Sequence, residues 1–345
     1  MLKKILKISA FLLLISLIVG GAAGYYLYQQ IYVPNISEEK KEYELFIPTG
    51  AKFQQVVDSL SKNKILKKPS SFEWVAKKMN YENKIFPGRY IVKKGWNNRE
   101  LVNLLRSGTQ TPLNLTINNI RTKEQLVSLV GQKLEADSIK FAQFLNDSTA
   151  LAAINFTPEN VISVFVSDTY EFWWNTNYQQ FFERMLKEYN KFWTEKRVEQ
   201  AKERNLTPFE AITLAAIVEE ETLKTDEMPR VAGVYLNRLR KEWPLQADPT
   251  VKFAVGDFTL RRILKKHLEI ESPYNTYLNA GLPPGPIRIP IKNAIKAVLN
   301  SETHKYMFFC AKEDFSGYHN FAVNLREHNI NARKYQRELN RRKIK

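Results

Sequence analysis

Residues 207–222 read Thr207-Pro208-Phe209-Glu210-Ala211-Ile212-Thr213-Leu214-Ala215-Ala216-Ile217-Val218-Glu219-Glu220-Glu221-Thr222. The first four residues carry the marks of a helix N-terminus. Thr207 suits the N-cap, Pro208 the first helical position, and Glu210 completes a capping box. From Ala211 to Val218 the stretch is apolar almost all round, which predicts a buried helix rather than an amphipathic one. Three acids follow. A helical side chain leans over the residues three and four before it. Glu219 therefore rests on Ala216 and Ala215, with Ile212 one turn further back. This surface is apolar but small and leaves space beside the carboxyl. Such surroundings desolvate a carboxylate and raise its proton affinity, as a general acid working near neutral pH requires. The plainer alternative is a solvated helix end. Acids at a helix C-terminus oppose the dipole, so three in a row call for a reason, and periodicity alone does not separate Glu219 from Glu220 or Glu221.

Downstream, Met228-Pro229-Arg230 opens another helix, with Val231, Val234, Tyr235 and Leu239 on its inner face and Asn237 and Arg238 as polar additions. Three proline-stiffened loops come next: Pro244-Leu245-Gln246-Ala247-Asp248-Pro249-Thr250, Ser272-Pro273-Tyr274-Asn275-Thr276-Tyr277 and Gly281-Leu282-Pro283-Pro284-Gly285-Pro286-Ile287. Amides and aromatic rings at fixed loop positions suit a sugar, whose hydroxyls they satisfy and whose C–H face they stack on. Each loop taken singly is also ordinary turn chemistry.

The N-terminal end decides the compartment. Lys3, Lys4 and Lys7 precede an apolar run from Ile8 to Tyr28, about the 20 residues needed to span a bilayer core. Tyr25, Tyr26, Tyr28 and Tyr32 fit an interfacial aromatic belt, and the lysines place the N-terminus in the cytoplasm. A cleaved signal peptide is the rival, with Gly20-Gly21-Ala22-Ala23-Gly24 offering small residues. A retained anchor fits better, because apolar character continues past the glycines. The expectation is a single-pass protein of the cytoplasmic membrane with residues after about 33 outside.

The exported part is long enough for two domains in a chain of 345 residues. A composition 44% hydrophobic and 26% charged excludes a mainly disordered chain. The net charge of +16 favours polyanionic partners, and export demotes nucleic acid among them. Cys310 is the single cysteine, which excludes an intrachain disulfide. It lies in the run Tyr306-Met307-Phe308-Phe309-Cys310-Ala311 and reads as a buried small hydrophobe. No Cys/His group has zinc-site spacing. Residues 35–41 read as a polar linker. Between residues 43 and 108 the pattern is strand (Tyr43 to Ile47), helix (Phe53, Val56, Val57, Leu60), helix (Phe72, Val75, Ala76, Met79), strand (Arg89 to Val92) and a helix capped by Asn98 and closed by Gly108. That order is similar to a LysM-like carbohydrate-binding module, and equally to a structural spacer. Further on, Leu113 to Ile117 and Val161 to Tyr170 read as strands. Phe172-Trp173-Trp174 is a dense aromatic cluster, read as core with sugar stacking as the alternative.

Taken in order, Ile217-Val218-Glu219-Glu220-Glu221-Thr222, Tyr235-Leu236-Asn237-Arg238-Leu239, Leu245-Gln246-Ala247-Asp248-Pro249-Thr250, Tyr274-Asn275-Thr276-Tyr277 and Gly281-Leu282-Pro283-Pro284-Gly285-Pro286-Ile287 resemble the endolytic murein transglycosylases called MltG or YceG-like. Asp168-Thr169-Tyr170 upstream, and Tyr318-His319-Asn320-Phe321 with Glu327-His328-Asn329 near the end, resemble the same family. The resemblance covers essentially the whole exported chain. It implies an α+β protein with four parts: stub and transmembrane helix (1–33), linker (34–42), LysM-like module (43–110) and catalytic domain with a basic tail (111–345). It implies that Glu219, the first acid of the family's motif, is the catalytic acid/base, and that Glu221 is the motif's second fixed acid. Glu220 stands where lysine is common and Ala247 where serine is common. Gln246, Asp248, Tyr274, Asn275 and Tyr277, with Glu221, Asn237, Thr276 and His319, are assigned to substrate contact or support. The implied reaction cuts peptidoglycan glycan strands between N-acetylmuramic acid and N-acetylglucosamine, leaving 1,6-anhydro ends, with no metal or organic cofactor and in cooperation with penicillin-binding proteins. Two other readings stay open. Asp248 or Glu221 as a second carboxyl would make a muramidase-type hydrolase, and an incidental Glu219 would leave a wall-binding scaffold. The basic stretch Arg333-Lys334, Arg337, Arg341-Arg342-Lys343 and Lys345 reads as a solvated tail or a contact for anionic lipid or wall polymer.

Overall fold

The structure, a computed structural model, describes residues 2–260 and 262–342. Lys343 and Lys345 of the basic stretch lie outside the described residues. The chain is a mixed α+β protein with a long apolar N-terminal helix, divided into two compact units: residues 1–114 with 171–176, and residues 115–170 with 177–345.

The first unit begins with α1 (Leu2–Tyr32). Among the described residues it is the one helix long and apolar enough to cross a membrane, and its side chains are exposed from Lys3 to Tyr28. Beyond it, β1 (Glu42–Ile47), α2 (Phe53–Lys62), α3 (Pro69–Lys78), β2 (Gly88–Lys93) and α4 (Asn98–Ser107) follow in the order the pattern predicts. β1 and β2 pair antiparallel, Tyr43 opposite Val92 and Ile47 opposite Gly88. The alternation Tyr43, Leu45, Ile47 points into a core shared with Val56, Leu60, Phe72, Val75, Leu101 and Leu105. The cap of α4 is Asn97, whose side chain accepts the Glu100 N–H, not Asn98. Asn98 is buried instead. Its Nδ2 donates to the Gln30 carbonyl and to Ser71 Oγ, both at 2.8 Å, and its Oδ1 accepts from Asn35 at 2.7 Å. Neighbouring asparagines look alike in sequence; burial tells them apart. Asn35 and Ile36, within the stretch read as linker, are buried. Of the aromatic cluster, Phe172 is buried, Trp173 is half-exposed, and Trp174 packs on Phe46 with ring centroids 5.1 Å apart.

The chain continues through β3 (Leu113–Ile117), α5 (Lys123–Lys133), α6 (Ser138–Phe144) and α7 (Ser148–Ala152) to β4 (Asp168–Phe172), which pairs with β3. The run Val161 to Tyr170, expected as one strand, is a 3₁₀ turn at Val161–Val164 and then β4. Its apolar residues are buried on all sides, so no alternation existed to fix its conformation. Next come α8 (Tyr178–Phe192), α9 (Glu195–Lys202), α10 (Pro208–Glu221) and α11 (Met228–Arg240). The remaining elements are α12 (Asp248–Val255), α13 (Lys265–Leu268), α14 (Lys292–Leu299), β5 (Phe308–Ala311), β6 (His319–Ala322) and α15 (Leu325–Arg341).

α10 is the centre of the second unit. Thr207 and Glu210 exchange the capping-box hydrogen bonds that the sequence predicts. Ala211 to Glu219 are all buried. α14 and α11 pack against this helix and against each other. Ala211, Ala215 and Ala216 keep α10 slim enough for close approach, while each buried Ile, Leu or Val contributes about 1.5–3 kcal/mol. β5 and β6 pair antiparallel, with α15 packed on them. Cys310, expected in the core, is only half-buried on β5. A two-stranded ribbon has too little cover to enclose both faces.

The buried Asn35–Asn98–Ser71 hydrogen bonds generate one prediction. Asn98→Ala removes one of two acceptors of the Asn35 amide and leaves the Gln30 carbonyl with the longer Ser71 bond. A loss of about 1–3 kcal/mol is expected, read as a lowered midpoint in denaturant titration of the full chain in detergent.

Candidate active site

Glu219 occupies the last turn of α10 and is 6% exposed. Its Oε2 accepts the backbone N–H of Ile291, the residue just before α14, at 2.7 Å. Its Oε1 lies 3.1 Å from Nη2 of Arg288. Burial raises the proton affinity of this carboxyl. The Ile291 N–H, Arg288 and Arg121 oppose the rise, and Glu220 adds to it. Burial is the largest of these effects, so Glu219 titrates above the ordinary glutamate range.

Glu220 is paired with two cations. Nη1 of Arg288 contacts its Oε1, and Nη2 of Arg121 lies 2.9 Å from the same oxygen. Arg288 is itself buried, and its Nη2 also donates to Asn119 Oδ1 at 3.2 Å. Glu221 points elsewhere, because residues two apart on a helix diverge by roughly 160°. The Tyr235 hydroxyl of α11 donates to its Oε1 at 2.8 Å. Burial, opposed by this hydrogen bond and reinforced by the nearby Asp248 charge, pushes Glu221 up to about 7. Asp248 in turn accepts the Tyr277 hydroxyl at 2.6 Å.

Other residues singled out from the sequence hold the loops. Gln246 is exposed, has a left-handed φ of 50°, and donates its N–H to the Thr276 carbonyl at 3.0 Å. Thr276 is buried; its Oγ1 accepts the Ala247 N–H at 3.0 Å and lies 2.8 Å from Thr250 Oγ1. Asn275 donates to the carbonyls of Leu268 and Ile270, both at 2.9 Å, and accepts the Tyr277 N–H at 3.0 Å. The Tyr274 ring lies against Phe253, with centroids 4.7 Å apart. Asn237 donates to the carbonyls of His304 and Tyr306 at 2.9 and 2.8 Å. His319 Nδ1 lies 2.8 Å from Oε2 of buried Glu227, which also accepts Thr222 Oγ1 at 3.1 Å. Glu221, Tyr235, Asp248 and Tyr277 thus form one cluster. Asn275 and Thr276 pin its loop, Asn237 fixes the chain at 304–306, and His319 is tied to the end of α10 through Glu227 and Thr222.

Sequence reasoning missed Arg121, Arg288, the Ile291 N–H and the Tyr235 hydroxyl. Arg288 follows directly on the quoted Gly281 to Ile287 loop, yet nothing in a one-dimensional pattern says which acid a distant arginine will meet. A cavity of about 700 Å³ lies at the opposite end of α10, lined by Thr207, Glu210, Thr213, Pro283 and Pro284. On α10 its lining residue nearest Glu219 is Thr213, six residues or about 9 Å of helix away, and Glu219 is not among the residues that line it.

The sequence matches the YceG-like family over residues 45–334. The chain belongs to the YceG-like family. It is 29% identical over 338 residues to the endolytic murein transglycosylase of Bacillus subtilis (strain 168), covering 92% of this chain and 91% of that protein. It is also 29% identical over 357 residues to the endolytic murein transglycosylase of Streptococcus pneumoniae serotype 2, covering 94% of this chain but 64% of that longer protein. A crystal structure of a YceG-like protein from Listeria monocytogenes aligns with a TM-score of 0.57 and 26% identity, over 85% of this chain and 99% of that one.

In this YceG-like chain, the raised titration of Glu221 carries a stability consequence. A carboxyl titrating at about 7 when folded and near its ordinary value when unfolded binds more protons in the folded state between those two pH values. Stability then falls as pH rises through that window. Glu221→Gln is expected to remove this contribution, so thermal melts of variant and parent should converge in acid and diverge towards neutral pH, the variant being the more stable.

Proposed function

We propose that this chain is an endolytic murein transglycosylase that cuts glycan strands by intramolecular transglycosylation, with Glu219 as its acid/base. The observation that carries the reading is a desolvated carboxyl at the end of a buried helix, one oxygen held by a fixed backbone N–H and the group poised to keep a proton. Protonated Glu219 donates to the glycosidic oxygen between N-acetylmuramic acid and N-acetylglucosamine as the C1–O bond breaks. The carboxylate then takes the proton of the C6 hydroxyl of the same muramoyl residue, and O6 bonds to the oxocarbenium-like C1. Proton and bond counts balance without water, so one carboxyl serves both steps. The Asp248–Tyr277 pair and exposed Gln246 are assigned to the substrate side, and Asn275, Thr276, Asn237 and His319 to support.

The same proposal keeps α1 as a retained anchor with the catalytic part outside the cytoplasmic membrane. Its support is that the end of α1 is built into the first unit: the Gln30 carbonyl accepts from Asn98 and Ser71, and Arg99 donates to the Tyr32 hydroxyl at 2.8 Å. A LysM-like, carbohydrate-binding role for the first unit belongs to the same proposal, supported by its element order and by the Phe46–Trp174 ring pair. Cooperation with penicillin-binding proteins rests on the family resemblance.

The test is product analysis. The full chain, incubated with purified glycan strands, is expected to release fragments whose mass is one water below that of hydrolysis products. Glu219→Gln should lower the rate by about 10²–10⁴-fold. Release of reducing ends by the parent protein would make it a muramidase, and undiminished activity of Glu219→Gln would remove Glu219 from the chemistry.

A further inference from the structure

Both carboxyl oxygens of Glu219 face a donor. Oε2 accepts the Ile291 N–H, a backbone donor fixed at the start of α14. Oε1, the other oxygen, lies 3.1 Å from Nη2 of Arg288. A guanidinium accepts no hydrogen bond and is always charged. At this distance it favours the carboxylate over the acid. Arg288 thus opposes the state that acid catalysis requires.

The same guanidinium has a second carboxylate within reach. Nη1 of Arg288 lies on Glu220, and Glu220 is held from its other side by Arg121. Arg121 is backed by Phe258, with its guanidinium carbon 5.3 Å from the ring centroid. The Nε of Arg288 is buried with no hydrogen-bond partner among the described residues. The two carboxylates and the Asn119 amide are what hold this guanidinium.

We propose that Glu220 is a positioning residue, which sets the proton affinity of Glu219 by sharing Arg288 with it, and that Arg121 tunes how strongly Glu220 does so. The inference rests on Glu219 being the acid of the proposed reaction. Two effects of Glu220 act in one direction. Its charge repels a negative Glu219, and it draws Arg288 away from Oε1. Arg121 works against both. Of the other charged groups near the end of α10 among the described residues, Glu227 pairs with His319. Lys292, at the start of α14, pairs with Asp168. Tyr235 and Arg238 of α11, and Asp248 of α12, act on Glu221.

The signs of two substitutions are therefore opposite. Glu220→Gln removes the repulsion and leaves Arg288 to Glu219 alone, so Glu219 loses its proton at lower pH. Arg121→Met removes a nearby cation and turns Glu220 wholly onto Arg288, so Glu219 holds its proton to higher pH. The full chain in detergent, labelled with ¹³C at glutamate side-chain carboxyls, reports the Glu219 titration directly; the signal is assigned by its absence in Glu219→Gln. The expected result is a midpoint about one pH unit lower in Glu220→Gln and higher in Arg121→Met. The alkaline limb of the pH–rate profile should move with it, with full rate regained at lower pH in Glu220→Gln. Unmoved midpoints, or midpoints that move in the same direction in both variants, overturn the proposal, as does a uniform loss of rate at every pH. Opposite shifts in the titration together with unimpaired activity of Glu219→Gln would uphold the ion-pair coupling and overturn the catalytic reading instead.

Discussion

A helix with no solvent face ends in three consecutive carboxylates, and each must find donors from another part of the chain. Burying a carboxylate without partners is prohibitively unfavourable, so the surroundings of α10 are arranged around this requirement. The N-terminus of α14 gives Glu219 a backbone N–H, and the loop before it gives Arg288. Arg121, from beyond β3, reaches Glu220. α11 gives Glu221 the Tyr235 hydroxyl. The alanines of α10 permit this convergence, because only a slim helix lets α14 and α11 come near enough for a main-chain donor to touch the last turn.

The three neighbouring acids consequently end in different chemical states. Glu219 is desolvated but partly compensated. Glu220 is balanced by two guanidiniums. Glu221 faces a phenol and another acid, Asp248, with Arg238 as the opposing charge, and titrates at about 7. On the proposed reading, this separation is what allows one of the three to work as an acid and then as a base. The polar loops that carry Gln246, Asp248, Tyr274 and Tyr277 are tied down by Asn275 and Thr276 from within. On the proposed reading their more exposed groups serve the substrate, while their buried groups keep the backbone in place.

The first unit serves a different physical need. α1 exposes an apolar surface along most of its length and enters a packed unit only at its end, where Gln30 meets Asn98 and Ser71. These polar contacts replace the solvent that the last carbonyls of a helix otherwise require. They also tie an apolar helix to a folded unit through a few buried side chains rather than a flexible tether.

Much of this was legible in residue order. The capping box at Thr207 and Glu210, the all-round apolar character of Ala211 to Val218, and the strand and helix order of residues 43–108 are local signals, set by dihedral preference and by periods of two and 3.6. The apolar helix at the N-terminus needed only a count of residues, and the ordered motifs sufficed to indicate the family. Other features depend on contacts across tens or hundreds of positions. The cap of α4 passes from Asn98 to Asn97 once burial is known. The apolar run at Val161 proved to be a turn, because a segment buried on every side carries no periodic signature. The partners of the three acids could not be read at all: Arg121 lies 99 positions before Glu220 in the chain and Arg288 lies 68 after it. The sequence by itself determined where the carboxylates stand on their helix, since that follows from local geometry. Only the tertiary structure decided which charges face them, because electrostatic surroundings depend on distance through space and not along the chain.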